Sequence, residues 1–342
     1  MYHPTRGPAI FLNRLQQELK KDDTLKNFRI FLPNLNSKKE MGTFNGLRVG
    51  RLDGAFFYDF SKKNLKNFAE LRKHSLLQKI NLNLSPFNHN LNAYLNRYSK
   101  YLLHHSDLIV YQSNWSKKMQ DKFVGKSKSP HTIINNGVPL DVFSFEKKEL
   151  NKEINLVITS NFRPHKRLYD AILLINQVKN KVPKIRLKVV GRIDSITFKA
   201  IQKLDLSNCD FLGTIPSDRI PLIYKNCVLG LSPAIFDPCP NSVVEMMACG
   251  LPVISCEESG ASELIGVSDL CIKENIELKY YEFQTIERLP KINLKRWEDL
   301  VLLVLENYKH YQEKIQLQVE SKLDIKVVCS KYLNFLKQHK DA

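Results

Sequence analysis

Residues 237–253 read Asp237-Pro238-Cys239-Pro240-Asn241-Ser242-Val243-Val244-Glu245-Met246-Met247-Ala248-Cys249-Gly250-Leu251-Pro252-Val253. A proline-punctuated loop carrying one carboxylate leads into a short helix, Ser242–Cys249, with a second carboxylate in its first turn. Gly250 ends the helix, and a buried strand follows over Pro252–Ser255. Each carboxylate alone has an ordinary structural explanation. Ser242-x-x-Glu245 is a capping box, in which Glu245 reaches back to the Ser242 backbone N–H. Asp237-Pro238 is a common turn opening. Together they make a loop–helix–strand module whose loop is well placed to hold a polar ligand.

The same rhythm extends outward. Strands are expected at Asn155–Ser160, Arg186–Val190, Asp210–Leu212 and Val228–Leu231, with helices at Pro164–Val178, Thr197–Leu204 and Arg219–Lys225. Upstream, a helix over Pro8 to about Lys20 precedes strands at Phe28–Leu32, Leu47–Leu52 and Asp107–Tyr111. Leu65–Ile80 and Asn88–His104 read as helical, and Ser116 as a helix cap. Trp297–Tyr311 and Ile325–Gln338 are closing amphipathic helices. Strands spaced by helices of this length imply parallel sheets covered on both faces, so the fold class is α/β. The turn cluster Asn135-Asn136-Gly137-Val138-Pro139 places an interdomain linker there or just beyond. The domains expected are 1–145, 146–325, and a C-terminal helix over 326–342 returning to the first domain. Ligands in such domains sit in the crevice facing the carboxyl ends of the strands.

A chain of 342 residues has room for two such domains. The longest apolar run, Leu300–Leu305, is far short of the ~20 residues of a membrane span. The start of the chain has no apolar stretch resembling a secretory signal. Seven scattered cysteines with no C-x-x-C pair indicate neither a disulfide framework nor a zinc knuckle and read as buried small residues, so a cytoplasmic location is expected. Charge is uneven: residues 1–150 hold 25 basic against 12 acidic residues, most of the chain's net +17. A basic first half suits an anionic partner such as a membrane surface, though a lysine-rich solvated surface accounts for the count equally well.

Ser160-Asn161-Phe162-Arg163-Pro164-His165-Lys166-Arg167 lies between a strand and a helix. It places Arg163, Lys166 and Arg167 at a helix N-terminus, where the dipole disfavours cations by ~0.3–1 kcal/mol per charge. Basic side chains beside free backbone amides make a site for a phosphate or diphosphate; an exposed basic turn is the equally weighted alternative.

These segments together resemble family 4 retaining glycosyltransferases, of the glycosyl transferases group 1 type with the GT-B fold of two Rossmann-like domains facing a central cleft. The resemblance rests on Asp237-x7-Glu245, Ala248–Val253, Ser259-Gly260-Ala261-Ser262-Glu263, Lys166, and Asn136-Gly137-Val138-Pro139-Leu140-Asp141-Val142-Phe143. It runs through most of residues 133–266 and is weaker upstream, at Arg6-Gly7-Pro8-Ala9, Arg51-Leu52-Asp53-Gly54 and Tyr111–Lys117. It implies that Lys166, helped by Arg163, binds the donor diphosphate; that Asp237 contacts the donor sugar; and that Glu245 binds the ribose. Gly7, Ser160, Asn161, Gly191, Gly213, Asn241 and Ser242 are the other donor-binding positions it implies.

The chain departs from the family pattern in three places. The usual first Glu is Asp237, one methylene shorter. Asn161 takes the usual arginine position, leaving Arg163 to substitute from two residues away. Met1–His3 is too short for the usual first strand, so that strand is expected to be missing or the natural start to lie upstream. No D-x-D occurs, in keeping with chemistry that needs no catalytic metal or cofactor. His89, His104 and His105 are candidates for a cleft contact from the first domain, although a lone histidine is more often a surface or satisfied core residue; Asp53 is another, a simple strand-ending turn accounting for it equally well; Trp115 reads as packing. The implied activity is transfer of a sugar from a UDP- or GDP-sugar to an acceptor hydroxyl of a glycan or lipid-linked precursor. The competing class, a basic nucleic-acid-binding or DNA-glycosylating protein, lacks a recognition motif or regular basic–aromatic interleaving.

Overall fold

A computed structural model describes residues 7–19, 28–32, 38–52, 98–150, 153–276, 286–287 and 289–339. The helix expected at 65–80, the first part of that at 88–104, Asp53 and His89 lie outside the described residues. The first half comprises α1 (Gly7–Leu19), β1 (Phe28–Phe31), α2 (Lys38–Gly42), β2 (Leu47–Leu52), a helical segment over 98–105, β3 (Leu108–Tyr111), α3 (Asn114–Phe123) and β4 (His131–Ile133). Its four strands pair in parallel in the order β1-β2-β3-β4.

The second half runs β5 (Ile154–Thr159), α4 (Leu168–Val178), β6 (Ile185–Val190), α5 (Ser195–Ile201), β7 (Cys209–Gly213), α6 (Ile220–Lys225), β8 (Leu229–Ser232), α7 (Asn241–Ala248), β9 (Val253–Cys256), α8 (Ala261–Ile265) and β10 (Cys271–Ile272). Three helices close the chain: α9 (Leu294–Glu306), α10 (Tyr308–Gln318) and α11 (Ile325–Gln338). The second sheet is also parallel, in the order β10-β9-β8-β5-β6-β7. Strands β8 and β9 are buried at every position, as parallel strands covered on both faces must be. The chain leaves β5 toward β6 and later returns on its other side as β8. The order therefore reverses between β5 and β8, and the crevice beyond their carboxyl ends is where such a sheet takes ligands.

α11 packs on α1: Phe11, Leu15 and Leu19 share one buried cluster with Ile325, Val328, Tyr332, Phe335 and Leu336. The return is tied at the linker, where Val138 and residues 323–325 exchange backbone hydrogen bonds of 2.9 and 3.0 Å. Trp115, Met119, Val138 and Phe143 join the large core of the second half, so the two halves share apolar packing.

Local readings are corrected at four places. The helix expected from Pro164 is interrupted: Pro164–Lys166 form a 3-10 turn and α4 starts only at Leu168. Arg167 between them is left-handed at φ 57°, its buried guanidinium donating to Asp170 (2.7 Å) and to the Pro290 carbonyl. The helix expected over Trp297–Tyr311 breaks at Asn307, whose side-chain amide donates back to the Leu303 carbonyl at 3.0 Å. α3 is capped by Ser113, in a reciprocal box with Ser116, rather than by Ser116 itself. Finally, α7 starts one residue early behind Pro240, and no side chain caps it.

Candidate active site

Both informative loops emerge at the switch point. β5 ends into Ser160–Lys166, and β8 ends into the loop that holds Asp237. There Lys166 Nζ meets Asp237 Oδ2 at 2.5 Å, joining the two halves of the predicted donor site across 71 residues of sequence. Both side chains keep some exposure, 22% and 14%, so solvent reaches the pair. Asn241 and Ser242 open α7 immediately beyond, half-buried, with first-turn amides that no side chain caps.

Ser160, Gly191 and Gly213 converge at the carboxyl ends of β5, β6 and β7. The Ser160 amide donates to the Val190 carbonyl (3.0 Å), and the Gly191 amide to that of Gly213 (2.7 Å). Gly191 has φ 127°, and a Cβ there would stand 1.9 Å from the Ser160 carbonyl oxygen. Asn161 and Arg163 are exposed, and among the described residues Arg163 makes no ion pair. Arg167 is corrected from a cleft cation to a buried structural one. His165 sits inside the turn; burial, then the positive charges of Lys166 and Arg163, push its imidazole down to about 3, so it is neutral.

Glu245 is buried, at 8% exposure, and does not close the capping box. Its Oε1 instead accepts from Arg14 Nη2 of α1 at 2.7 Å. Burial pushes the carboxyl above its ordinary value; Arg14 opposes that shift. The Arg14 guanidinium lies 5.1 Å from the centre of the Phe143 ring. Gly7 stands at the N-terminal end of the same helix.

Further ties hold the Asp237 loop, one from each half. Ser113 Oγ donates to the Pro238 carbonyl at 2.7 Å, and the Gly260 amide donates to the Asp237 carbonyl at 2.7 Å. Glu263 accepts from the Asn114 and Trp115 amides at 2.7 and 2.6 Å, satisfying free donors at the start of α3. Asn136 donates from Nδ2 to the Cys239 carbonyl (3.0 Å) and to Asn241 Oδ1 (2.7 Å), and accepts from the buried Arg51 guanidinium. Sequence reading missed Arg14, and although Ser113, Asn136 and Arg51 lie inside quoted motifs it gave them no role, because each acts through a partner distant in sequence. Glu263, although inside a quoted motif, had no role assigned.

The remaining candidates fall elsewhere. His104 and His105 are exposed on the 98–105 segment, His105 stacked on Tyr101 at 3.9 Å. Trp115 is 9% exposed, in the core near Phe236. An open cavity of about 600 Å³ lies at the opposite, amino end of the second sheet, lined in part by Lys148, Asn155 and Cys227. Buried Lys148 donates there to the Tyr224 and Cys227 carbonyls at 2.6 and 2.9 Å.

Residues 141–278 match the family model of Glycosyl transferases group 1. An uncharacterized glycosyltransferase of Methanocaldococcus jannaschii is 23% identical over 209 residues, covering 57% of this chain and 51% of that protein. The match thus spans about half the length of that relative. Among solved structures, HepE of Anabaena in complex with UDP superposes with a TM-score of 0.62 at 15% identity, over 96% of this chain and 82% of that one. WaaG, a glycosyltransferase involved in lipopolysaccharide biosynthesis, gives 0.63 at 14% identity, over 98% and 97%. Sucrose-phosphate synthase of Thermosynechococcus elongatus gives 0.64 at 13% identity, over 97% and 93%. The chain therefore has the GT-B fold, and its residues 141–278 are similar to Glycosyl transferases group 1.

Proposed function

We propose that this protein is a retaining glycosyltransferase that moves a hexose-type sugar from a UDP- or GDP-sugar to an acceptor hydroxyl. The observation that carries the reading is the meeting of Lys166 and Asp237 at the sheet switch point, beside the uncapped start of α7. Lys166, with Arg163 swinging in from the exposed turn, neutralises the charge that grows on the leaving diphosphate. Asp237, released from Lys166 when the diphosphate enters, takes hydroxyls of the sugar; Glu245 takes those of the ribose. The α7 amides at Asn241 and Ser242 cradle phosphate oxygens. Gly7 and the β-strand ends at Ser160, Asn161, Gly191 and Gly213 bring backbone close to the nucleotide.

In the transfer step the bond between the sugar anomeric carbon and the phosphate oxygen breaks. The acceptor oxygen bonds to the same face of that carbon, and its proton passes to the leaving phosphate. No protein carboxylate serves as a nucleophile, and lysine and helix amides do the charge stabilisation in place of a metal ion. HepE has been crystallised with UDP and with UDP-glucose, which supports a uridine donor. The acceptor we propose is a lipid-linked or cell-surface polysaccharide, lipopolysaccharide or glycolipid precursor. The cationic stretch of α3 and its sequel, with Lys117, Lys118, Lys122 and Lys126, would hold the enzyme at an anionic cytoplasmic membrane face.

The test is a hydrolysis screen over a panel of nucleotide sugars with and without EDTA, wild type against Lys166→Ala and Glu245→Ala. Both substitutions are expected to lower turnover at least ~100-fold, with the released sugar keeping its anomeric configuration and EDTA having no effect. Unchanged turnover in both variants would overturn the residue assignments, and inversion or strict metal dependence would overturn the mechanism.

A further inference from the structure

We propose that Arg14 is a positioning residue of the donor site, holding Glu245 ionised and fixing its Oε1 so that Oε2 is left to accept from a ribose hydroxyl. The inference rests on reading Glu245 as the ribose ligand, and adds a first-domain residue on which that ligand depends.

A carboxylate as buried as Glu245 keeps its charge only beside a cation. Arg14 is the cation that meets it, 2.7 Å away and from the other half of the molecule. The groups on neighbouring elements do not replace it. Tyr224 on α6 and Cys249 just past α7 are neutral, both raised by burial, with Cys249 near 12. Glu263 on α8 is engaged at the start of α3. Glu320 and Lys322, in the 319–323 turn packed against α7, are exposed.

Arg14 also lacks the marks of a purely structural arginine. Among the described residues its Nη1 is buried without a hydrogen-bond partner, and the guanidinium lies over the Phe143 ring. A pair kept for stability alone gains little over an apolar replacement, whereas a carboxylate that must accept from a sugar hydroxyl has to stay charged and oriented. Because α1 belongs to the first half, Glu245 is set for its ligand only while the two halves are together. Donor grip is thereby coupled to closure.

The experiment is calorimetric titration with UDP, GDP and their 2′,3′-dideoxy analogues between pH 5.5 and 8.5. It compares wild type, Glu245→Ala, Arg14→Met and Arg14→Lys, with thermal melting to verify folding. Wild type is expected to prefer the ribose form of the nucleotide it binds by about tenfold or more, the loss typical of hydrogen bonds to a charged acceptor. Glu245→Ala should lose the preference at every pH. In Arg14→Met the carboxyl takes up its proton at higher pH than in wild type, so the preference should fall away at a higher pH than in wild type as the solution is acidified. Arg14→Lys should restore it. If Glu245→Ala is unpreferring but Arg14→Met keeps the wild-type ratio at every pH, the Arg14 role falls and the ribose reading stands. If Glu245→Ala keeps the preference, or neither nucleotide binds wild type, the ribose reading itself falls and takes this inference with it.

Discussion

Gly260→Ala puts one methyl carbon where the packing leaves no room. At φ −67° the backbone of Gly260 suits any residue, so the penalty is one of space alone. The added carbon would stand 1.8 Å from the Pro238 carbonyl oxygen and 2.9 Å from Ser113 Oγ. Ordinary contact begins near 3.5 Å, so the Pro238 peptide must retreat by roughly 1.5 Å. That peptide is bonded to Asp237, whose own carbonyl is held by the Gly260 amide and whose carboxylate meets Lys166. The shift therefore falls on the residue proposed to grip the sugar. Displacements of about 1 Å in a positioned group cost on the order of 100-fold in rate, or ~2.7 kcal/mol of barrier. The assay is nucleoside diphosphate release from the active donor, with circular dichroism and melting to establish that the fold survives. A kcat about 100-fold below wild type in a folded variant is expected. A folded variant with kcat within ~3-fold of wild type would refute the clamp between Gly260, Pro238 and Ser113 as a determinant of the site.

Two other outcomes follow from charge. His165 is held neutral at about 3 while the unfolded chain protonates near 6.5, so the unfolded state binds the extra proton between those values and stability falls as pH drops through them. His165→Gln should flatten the loss of unfolding free energy between pH 6.5 and 4.5 by about 2 kcal/mol in urea titrations, and equal slopes would contradict the half-buried, neutral imidazole. Vesicle sedimentation should recover the protein with anionic but not neutral lipid at low salt, with release as salt rises; equal recovery would remove the membrane proposal.

What the sequence made legible was what local pattern determines. The β–α alternation from Asn155 to Cys256 is read from apolar runs and glycine punctuation, and it makes the second sheet parallel. The order in which Lys166, Asp237 and Glu245 fall on strand-end loops and a short helix is likewise visible in the chain. The meeting of Lys166 with Asp237 is legible only at one remove, through the rule that ligands gather where strand order reverses. Arg14 was not legible. It sits between Phe11 and Leu15 on a helix read for its apolar face, and its partner lies 231 residues away. The capping box at Ser242 and Glu245 is a locally valid motif that loses to that distant cation. The breaks at Arg167 and Asn307 failed for a related reason, since both residues are compatible with a helix. Contacts to Pro290 and back to Leu303 decide their conformations, and neither is encoded by period or composition.

The claim on which the rest depends is that Lys166 grips the donor pyrophosphate. A crystal structure with bound UDP or GDP measures it directly. The account predicts Lys166 Nζ within hydrogen-bonding distance of a phosphate oxygen, its contact with Asp237 broken, and Glu245 on the ribose. A nucleotide bound elsewhere, with the Lys166–Asp237 pair intact, would contradict it.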